Sequence, residues 1–101
     1  MAGPEEKRHL DPHIHAPTRL QLVTTLAAVS EAEFATVRGV LDVSDSALSK
    51  HLSALADVGY VRVRKGVHAG RRTTWVALTD EGRRALRDHV AALRRLIDGV
   101  G

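Results

Sequence analysis

The order of hydrophobic and polar positions predicts three short helices within the first 58 residues. Apolar residues recur three and four positions apart, the spacing that lines one face of a helix, over 17–29, 35–41 and 44–58. In the third segment Leu48, Leu52 and Leu55 form one stripe; we expect Ser44 to cap this helix at its start and Gly59 to end it in a left-handed conformation. The residues predicted to face the core from the first two helices are Leu20, Val23, Leu26, Ala27, Phe34, Val37, Val40 and Leu41.

After the third helix the hydrophobic period changes to that of a strand. Over 61–64 two valines alternate with two arginines, which predicts a half-buried strand. The segment 66–72 contains two glycines and is expected to be a hairpin loop. The return strand over 73–78 is rich in β-branched residues, and we expect Trp75 and Val76 to pack the hairpin onto the core.

A final helix is predicted over 80–98, with Thr79 as its N-cap and two acidic residues in its first turn. Its apolar residues form a heptad seam of Leu86, Val90, Leu93, Ile97 and Val100. This seam fits packing on the domain's own core or on the same helix of a second chain. We favour a dimer interface, because the helix follows the compact unit and is rich in arginine outside the seam.

Together these elements predict a mainly α fold with a small β-hairpin, in the α+β class. A length of 101 residues fits one domain. The expected organisation is a flexible N-terminal arm over 1–9, a unit of three helices and a hairpin over 10–79, and a dimerisation helix over 80–101. Only 3% of the residues are aromatic, so the core must be built from smaller side chains, and a thin core favours oligomerisation.

Composition narrows the classes of protein that this chain can represent. It contains no cysteine, which excludes disulfides and thiolate metal sites. No apolar run approaches the ~18 residues that span a membrane, and the N-terminus lacks the apolar stretch of a signal peptide. We therefore expect a cytoplasmic protein with no membrane partner.

Positive charge is concentrated in the predicted hairpin. Its cationic residues, with no acidic residue among them, are Arg62, Arg64, Lys65, Arg71 and Arg72. The whole chain has a net charge of only +3, so the remainder is net acidic. Such a concentration is typical of a surface that binds a polyanion, although a charged strand edge also prevents aggregation. We favour DNA contact, because protection of a strand edge does not require this arginine-rich set without acidic residues. Lysine or mixed charge would protect an edge equally well.

The third helix offers a polar face that can approach DNA. Two helices joined by a short turn present the second one to the major groove, whose width of ~12 Å admits a helix. The residues expected to project opposite the leucine stripe are Asp45, Ser46, Ser49, Lys50 and Ser53. Taken alone, they are more typical of an ordinary solvated helix start. The adjacent cationic hairpin favours DNA binding, with attraction supplied by the hairpin and sequence choice by the helix.

The segments SKHLSALADVGYV and ALTDEGRRAL, with a basic hairpin between them, resemble winged helix-turn-helix transcriptional regulators of the MarR and ArsR type. The stretch LDPHIHAPTRL is similar to the start of a small-domain subgroup. The resemblance covers 10–97 and implies a dimeric, bacterial, repressor-like protein whose third helix enters the major groove. The hairpin, called the wing, would contact the minor groove or the backbone. The matching positions are Ser46, Ser49, Lys50 and His51 on the reading helix, Arg62, Arg64, Arg71 and Arg72 on the wing, and Leu78 and Thr79 at the start of the dimerising helix.

Neither a metal site nor catalysis is predicted. The six histidines show no ligand spacing of the H-E-x-x-H kind, and the recognition-helix cysteines of the metal-sensing branch are absent. His51 is expected to form a hydrogen bond within the domain or to contact a phosphate. The chain has no G-x-S-x-G, phosphate-loop or dinucleotide motif, so we predict no enzyme and no cofactor.

The function predicted from the sequence is a sequence-specific regulator of transcription that binds double-stranded DNA. It would be a homodimeric repressor on a pseudo-palindromic operator, with half-sites ~34–36 Å apart. The predicted DNA-binding residues are Ser44, Asp45, Ser46, Ser49, Lys50, His51, Ser53, Arg62, Arg64, Lys65, Arg71 and Arg72. The alternative is a winged-helix adaptor that binds proteins and not DNA. A small-molecule effector, if one exists, would bind between the first and last helices at the dimer interface, but no residue set identifies it.

Overall fold

The computed structural model describes residues 10–100, except for the side chain of Val100. Its elements are α1 (Pro17–Ala27), β1 (Ala32–Glu33), α2 (Phe34–Leu41), α3 (Asp45–Asp57), β2 (Val61–His68), β3 (Arg71–Leu78) and α4 (Asp80–Val100). The strands form an antiparallel sheet in the order β1-β3-β2. The predicted α+β fold of a three-helix core, a two-stranded wing and a C-terminal helix is confirmed. The predicted flexible arm, 1–9, lies outside the described residues, as does Gly101.

α3 begins and ends where its sequence predicts. Ser44 Oγ accepts a hydrogen bond from the backbone N–H of Ala47 at 3.1 Å, which satisfies a free donor of the first turn. At the other end Gly59 has a φ of 81°, and the N–H of Tyr60 donates to the carbonyl of Leu55 at 2.9 Å. This is a Schellman-type ending, for which glycine is the favoured residue. The predicted leucine stripe is buried.

The hairpin turn is shorter than the sequence predicts. Only Ala69 and Gly70 connect the two strands, and both have positive φ (53° and 77°), as in a type I′ turn. The predicted loop over 66–72 is therefore wrong, because Gly66 lies inside β2. A Cβ at Gly66 would lie 3.1 Å from Cδ1 of Trp75, so the glycine gives the indole room to lie against β2.

β1 has no counterpart in the sequence prediction, which assigns no element to Ala32 and Glu33. Ala32 pairs with Val76 of β3, and Glu33 pairs with Trp75. A strand of two residues contains no hydrophobic period, so only the long-range pairing with β3 defines it.

One predicted core position on α2 is wrong. Phe34, Val37 and Leu41 lie within about 60° of each other around the helix axis, and this side packs on the core. Val40 lies beyond Val37 around the helix, away from Phe34 and Leu41, and it is 54% exposed. α1 also ends at Ala27, two residues before the predicted end.

The core lies between the helices and the inner face of the sheet. Its fully buried aliphatic residues are Ile14, Leu22, Val23, Leu26, Val37, Leu48, Leu55 and Val76. Ile14 precedes α1, so the N-terminal segment closes one side of this core. Of the two residues expected to attach the wing to the core, Val76 does so. Trp75 is half-buried and lies on the opposite face of the sheet, because neighbouring residues of a strand point to opposite sides.

The first turn of α4 packs against the segment that connects α3 to β2, at Gly59 and Tyr60. Thr79 Oγ1 accepts the backbone N–H of Gly82 at 3.0 Å, which confirms the predicted cap, and donates to the carbonyl of Gly59 at 2.6 Å. A Cβ at Gly82 would overlap the carbonyl oxygen of Tyr60. Glycine is therefore required where the two segments cross.

The buried seam of α4 is displaced by one residue from the predicted heptad seam. His89 and Ala92 are buried and face the helix's own domain. In the predicted seam the first three residues are half-buried and Ile97 is 69% exposed, while the side chain of Val100 lies outside the described part. Within 10–100 no helix, α4 included, combines the length and the apolar character needed to cross a membrane.

Candidate nucleic-acid interface

The exposed side of α3 carries the polar residues that the sequence predicts. Those that project opposite the leucine stripe are Ser46, Ser49, Lys50 and Ser53. Asp45 is also exposed, and its carboxylate lies 3.2 Å from the guanidinium of Arg38 on α2. This ion pair offsets the negative charge at the start of the helix. Ser44 serves as the helix cap, so its hydroxyl is already engaged.

Strand pairing sorts the predicted cations of the wing into two sets. Directly paired residues of an antiparallel sheet share a face, and successive residues alternate between faces. Lys65 pairs with Thr74, and Arg72 pairs with Val67, which places both cations on one face. The cations at the alternate positions, on the opposite face, are Arg62, Arg64 and Arg71.

The face with Lys65 and Arg72 borders α3. A groove of about 510 Å³ lies between them, with Ser49 and Ser53 of α3 on one side and Lys65 and Thr74 of the wing on the other. Lys65 Nζ donates to Thr74 Oγ1 at 3.2 Å across the two strands. The surface formed in this way, which we call the α3–wing surface, comprises Ser46, Ser49, Lys50, Ser53, Lys65 and Arg72.

The opposite face of the wing is partly neutralised by acidic residues. Arg64 donates to Glu31 from Nε at 2.9 Å and from Nη2 at 2.7 Å, and its guanidinium lies 5.5 Å from the ring centroid of Trp75. The hydrogen bond with Glu31 raises the pKa of Arg64. His68 lies 3.8 Å from the carboxylate of Glu33 on the same face. The five cations of the wing therefore do not form one cluster.

His51 lies on the edge of α3 that faces α1. Arg19 of α1 donates from Nε to Nδ1 of His51 at 3.1 Å. Burial lowers the pKa of His51, and the positive charges of Arg19 and Lys50 act in the same direction. One predicted role of His51, a hydrogen bond within the domain, is therefore present. Sequence reasoning missed Arg19, because 32 residues separate it from its partner and no local pattern connects them.

Three further histidines, His13, His15 and His89, hold the N-terminal segment on the domain. His13 packs edge-on against Tyr60 with 6.1 Å between ring centroids, and His15 packs against His89 at 5.9 Å. His89 is 1% exposed, and its Nδ1 accepts the backbone N–H of Asp11 at 2.9 Å. Among the residues that the structure describes, no group of three or more His, Cys, Asp or Glu has an arrangement that could hold a metal ion.

A cleft of about 540 Å³ separates the N-terminal segment from α4. Asp11, Tyr60, Arg84 and Asp88 contribute to its lining. The Tyr60 hydroxyl donates to Oδ2 of Asp11 at 2.6 Å, and burial together with this bond raises the pKa of Tyr60 to about 12. The cleft borders α4, but its other wall is the segment before α1, so it is not the predicted effector position between the first and last helices. An effector site at that position stays a prediction.

Known proteins share this architecture and part of its sequence. A family model described as a winged helix DNA-binding domain matches residues 18–97. An uncharacterized protein of Methanocaldococcus jannaschii is 28% identical over 82 residues, which cover 81% of this chain and 89% of that protein.

Among solved structures, a transcriptional regulator homologue protein from Pyrococcus horikoshii OT3 superimposes with a TM-score of 0.84 at 29% identity, covering 95% of this chain and 94% of that one. The PcaV transcriptional regulator of Streptomyces coelicolor, determined in complex with its natural ligand, superimposes with a TM-score of 0.73 at 22% identity. That match covers 90% of this chain and 63% of PcaV, and it concerns the fold alone.

Proposed function

Because this chain belongs to the family of winged helix DNA-binding domains, it is a DNA-binding transcriptional regulator, and we propose that it acts as a homodimeric repressor on a pseudo-palindromic operator. The family and the fold are those of transcriptional regulators, which are not enzymes. The observation that carries the proposal is the α3–wing surface, where the polar face of α3 borders the sheet face that carries Lys65 and Arg72.

We assign α3 to the major groove. Its exposed serines are short hydrogen-bonding residues that let the helix approach base edges closely, and Lys50 provides a longer donor. The ion pair between Arg38 and Asp45 supports this assignment, because it reduces the repulsion between the Asp45 carboxylate and DNA phosphates.

Phosphate or minor-groove contacts are assigned to Lys65 and Arg72 of the wing. Both share the sheet face that borders α3, so a duplex lying on that helix passes the same face of the wing. Each phosphate neutralised by such a side chain releases counterions condensed on the DNA. The affinity for DNA therefore falls as the salt concentration rises. Arg62 and Arg64 project from the other face and are not assigned to this duplex.

Dimerisation is assigned to the outer part of α4. Leu96 and Ile97 are 55% and 69% exposed in the single chain, beside the half-buried residues of the predicted seam. A second copy of α4 would bury these apolar side chains, which is favourable by about 25 cal/mol per Å². A two-fold axis through this interface would present two α3 helices to half-sites ~34–36 Å apart.

The test is the binding of the wild-type protein to random-sequence duplex DNA at increasing salt, followed by selection of bound sequences. We expect a complex at about 50 mM salt that weakens by orders of magnitude towards about 200 mM. The selected sequences should contain an inverted repeat. Absence of any complex at the lowest salt would contradict the proposal and favour a protein-binding adaptor.

A further inference from the structure

The two sides of α3 meet different parts of the fold. Ser49 and Ser53 border the groove to the wing, whereas His51 lies on the other side of the helix, beside α1. Ala47 and Ala54, about one turn before and after His51, are half-buried as well. This edge therefore runs between the buried stripe and the exposed face, next to the residues assigned to the major groove.

His51 and Arg19 form a hydrogen-bonded pair with fixed roles. The Nε–H of Arg19 donates to Nδ1 of His51, so Nδ1 carries a lone pair and neutral His51 holds its proton on Nε2. Burial lowers the pKa of His51, and the charges of Arg19 and Lys50 lower it further, so the neutral form is maintained at neutral pH. Both charged groups that act on His51 in the described structure are cations.

The remaining donors of this pair are open to solvent. In the described part of the chain, the buried side-chain nitrogen that lacks a hydrogen-bond partner is Nε2 of His89. Nε2 of His51 and the terminal nitrogens of Arg19 also have no partner within 10–100, so they must reach the surface. Together they form a set of hydrogen-bond donors without an acceptor, which matches the oxygens of a phosphate.

We propose that Arg19 and His51 bind a phosphate of the DNA backbone on the side of α3 that faces away from the wing. This inference rests on the proposed function, since it requires α3 in the major groove. A helix in that groove has a phosphate backbone on each side, and the wing supplies cations on one side only. Arg19 presents a planar fork that matches two phosphate oxygens. His51 fixes the orientation of the fork by accepting its Nε–H and adds the Nε2–H as a further donor.

The experiment measures the affinity of full-length variants for a random-sequence duplex as a function of salt. Arg19→Gln is expected to weaken binding roughly tenfold and to reduce the slope of log affinity against log salt by about 0.9 per protomer, the value of one lost phosphate contact. Arg19→Lys retains the charge and should keep most of the slope. Arg87→Gln is the matched control, because it removes the same charge from an exposed position on α4 and should change neither quantity.

The outcomes separate this inference from the proposed function. Failure of the wild-type protein to bind any duplex would overturn both. Wild-type binding with an unchanged salt slope in Arg19→Gln would overturn the phosphate site alone. If that variant loses thermal stability without a change in slope, the pair only packs α1 on α3. An equal loss of slope in Arg87→Gln would also contradict a local contact.

A second measurement uses the wild-type protein and does not depend on the folding of a variant. In nuclear magnetic resonance, the Nε2-bound proton of a solvent-exposed histidine exchanges too fast to be seen. Addition of the random duplex is expected to make the Nε2 proton of His51 observable, because a phosphate oxygen then accepts it. A spectrum in which this proton stays invisible and the His51 nitrogen shifts do not change would overturn the proposal.

Discussion

Burial and hydrogen bonds decide the protonation of His51 and His89. His51 and His89 both use Nδ1 as an acceptor, the first for Arg19 and the second for the backbone N–H of Asp11. Neither can take a proton on that nitrogen without losing its hydrogen bond. Burial lowers the pKa of both; at His89 the neighbouring His15 adds to this effect, and the Asp11 carboxylate opposes it.

Acidification is therefore expected to destabilise the fold. An unfolded histidine has a pKa of about 6.5, so below that pH the unfolded chain binds more protons than the folded one. The stabilisation is complete above about pH 6.5 and is lost as the pH falls below it.

The variant His89→Asn tests this pH dependence, because it keeps an acceptor atom and does not titrate. Between about pH 7.5 and 5.5 its melting temperature should fall less than that of the wild type, as measured by thermal unfolding. Equal falls in the two proteins would show that His89 does not contribute.

Gly39 lies inside α2, and an added Cβ there would meet no atom within 4 Å. Because glycine costs ~0.5–1 kcal/mol relative to alanine in a helix interior, Gly39→Ala should raise the free energy of unfolding by about that amount. Urea denaturation measures the change. The control is Gly82→Ala, which should destabilise through overlap with the carbonyl of Tyr60. A loss of stability in Gly39→Ala would contradict the open space seen around it.

At the scale of elements, α3 and its exposed face could be predicted because everything that defines them is local. The cap at Ser44, the leucine stripe and the ending at Gly59 all lie within one short segment. The start of α4 at Thr79 was predictable for the same reason.

In the wing, the sequence pattern does not predict on which face of the sheet each cation lies. The sequence groups its five cations as one cluster, whereas the register of β2 with β3 divides them between two faces. Gly66 suggested a loop, but it pairs with Thr73 inside β2, and the absence of a side chain there leaves room for the ring of Trp75. The contact between Arg19 and His51 joins two helices that are far apart in sequence, so no sequence spacing predicts it.

The assignment of α3 to the major groove predicts how a change on its exposed face alters binding. Ser49→Ala should change the preference among operator variants by roughly five- to tenfold, the value of about one hydrogen bond, at one base position. Affinity for random duplex and its salt dependence should stay as in the wild type. Selection from a random pool compares the two proteins, and a uniform loss across all sequences would argue against base contact by Ser49.

The molecule is elongated, with extents of 52 × 25 × 21 Å along its principal axes. Residues 94–99 are all exposed, so the last turns of the helix do not pack on the domain. The heptad pattern predicted an apolar seam on this helix. It did not reveal that the adjacent seam, through His89 and Ala92, is the one buried within the chain.

Ile97→Glu tests the proposed dimer. Because Ile97 is 69% exposed, the substitution should leave the fold of the single chain intact and convert the dimer to a monomer in light-scattering measurements. Operator affinity should then fall by at least about tenfold, since two linked half-sites bind with avidity. Val40→Glu is the control, since it introduces the same charge at an apolar residue of α2 that is 54% exposed. A dimer that persists in Ile97→Glu would place the interface elsewhere.

In the proposed complex, one duplex contacts α3 and only the face of the wing that borders it. The most direct measurement compares the salt dependence of random-duplex binding in Arg72→Gln and Arg62→Gln, which remove the same charge from opposite faces of one hairpin. We expect Arg72→Gln to reduce the slope of log affinity against log salt by about 0.9 per protomer and Arg62→Gln to leave it unchanged. Equal losses in both variants, or a loss only in Arg62→Gln, would show that the duplex does not lie on the wing face that borders α3.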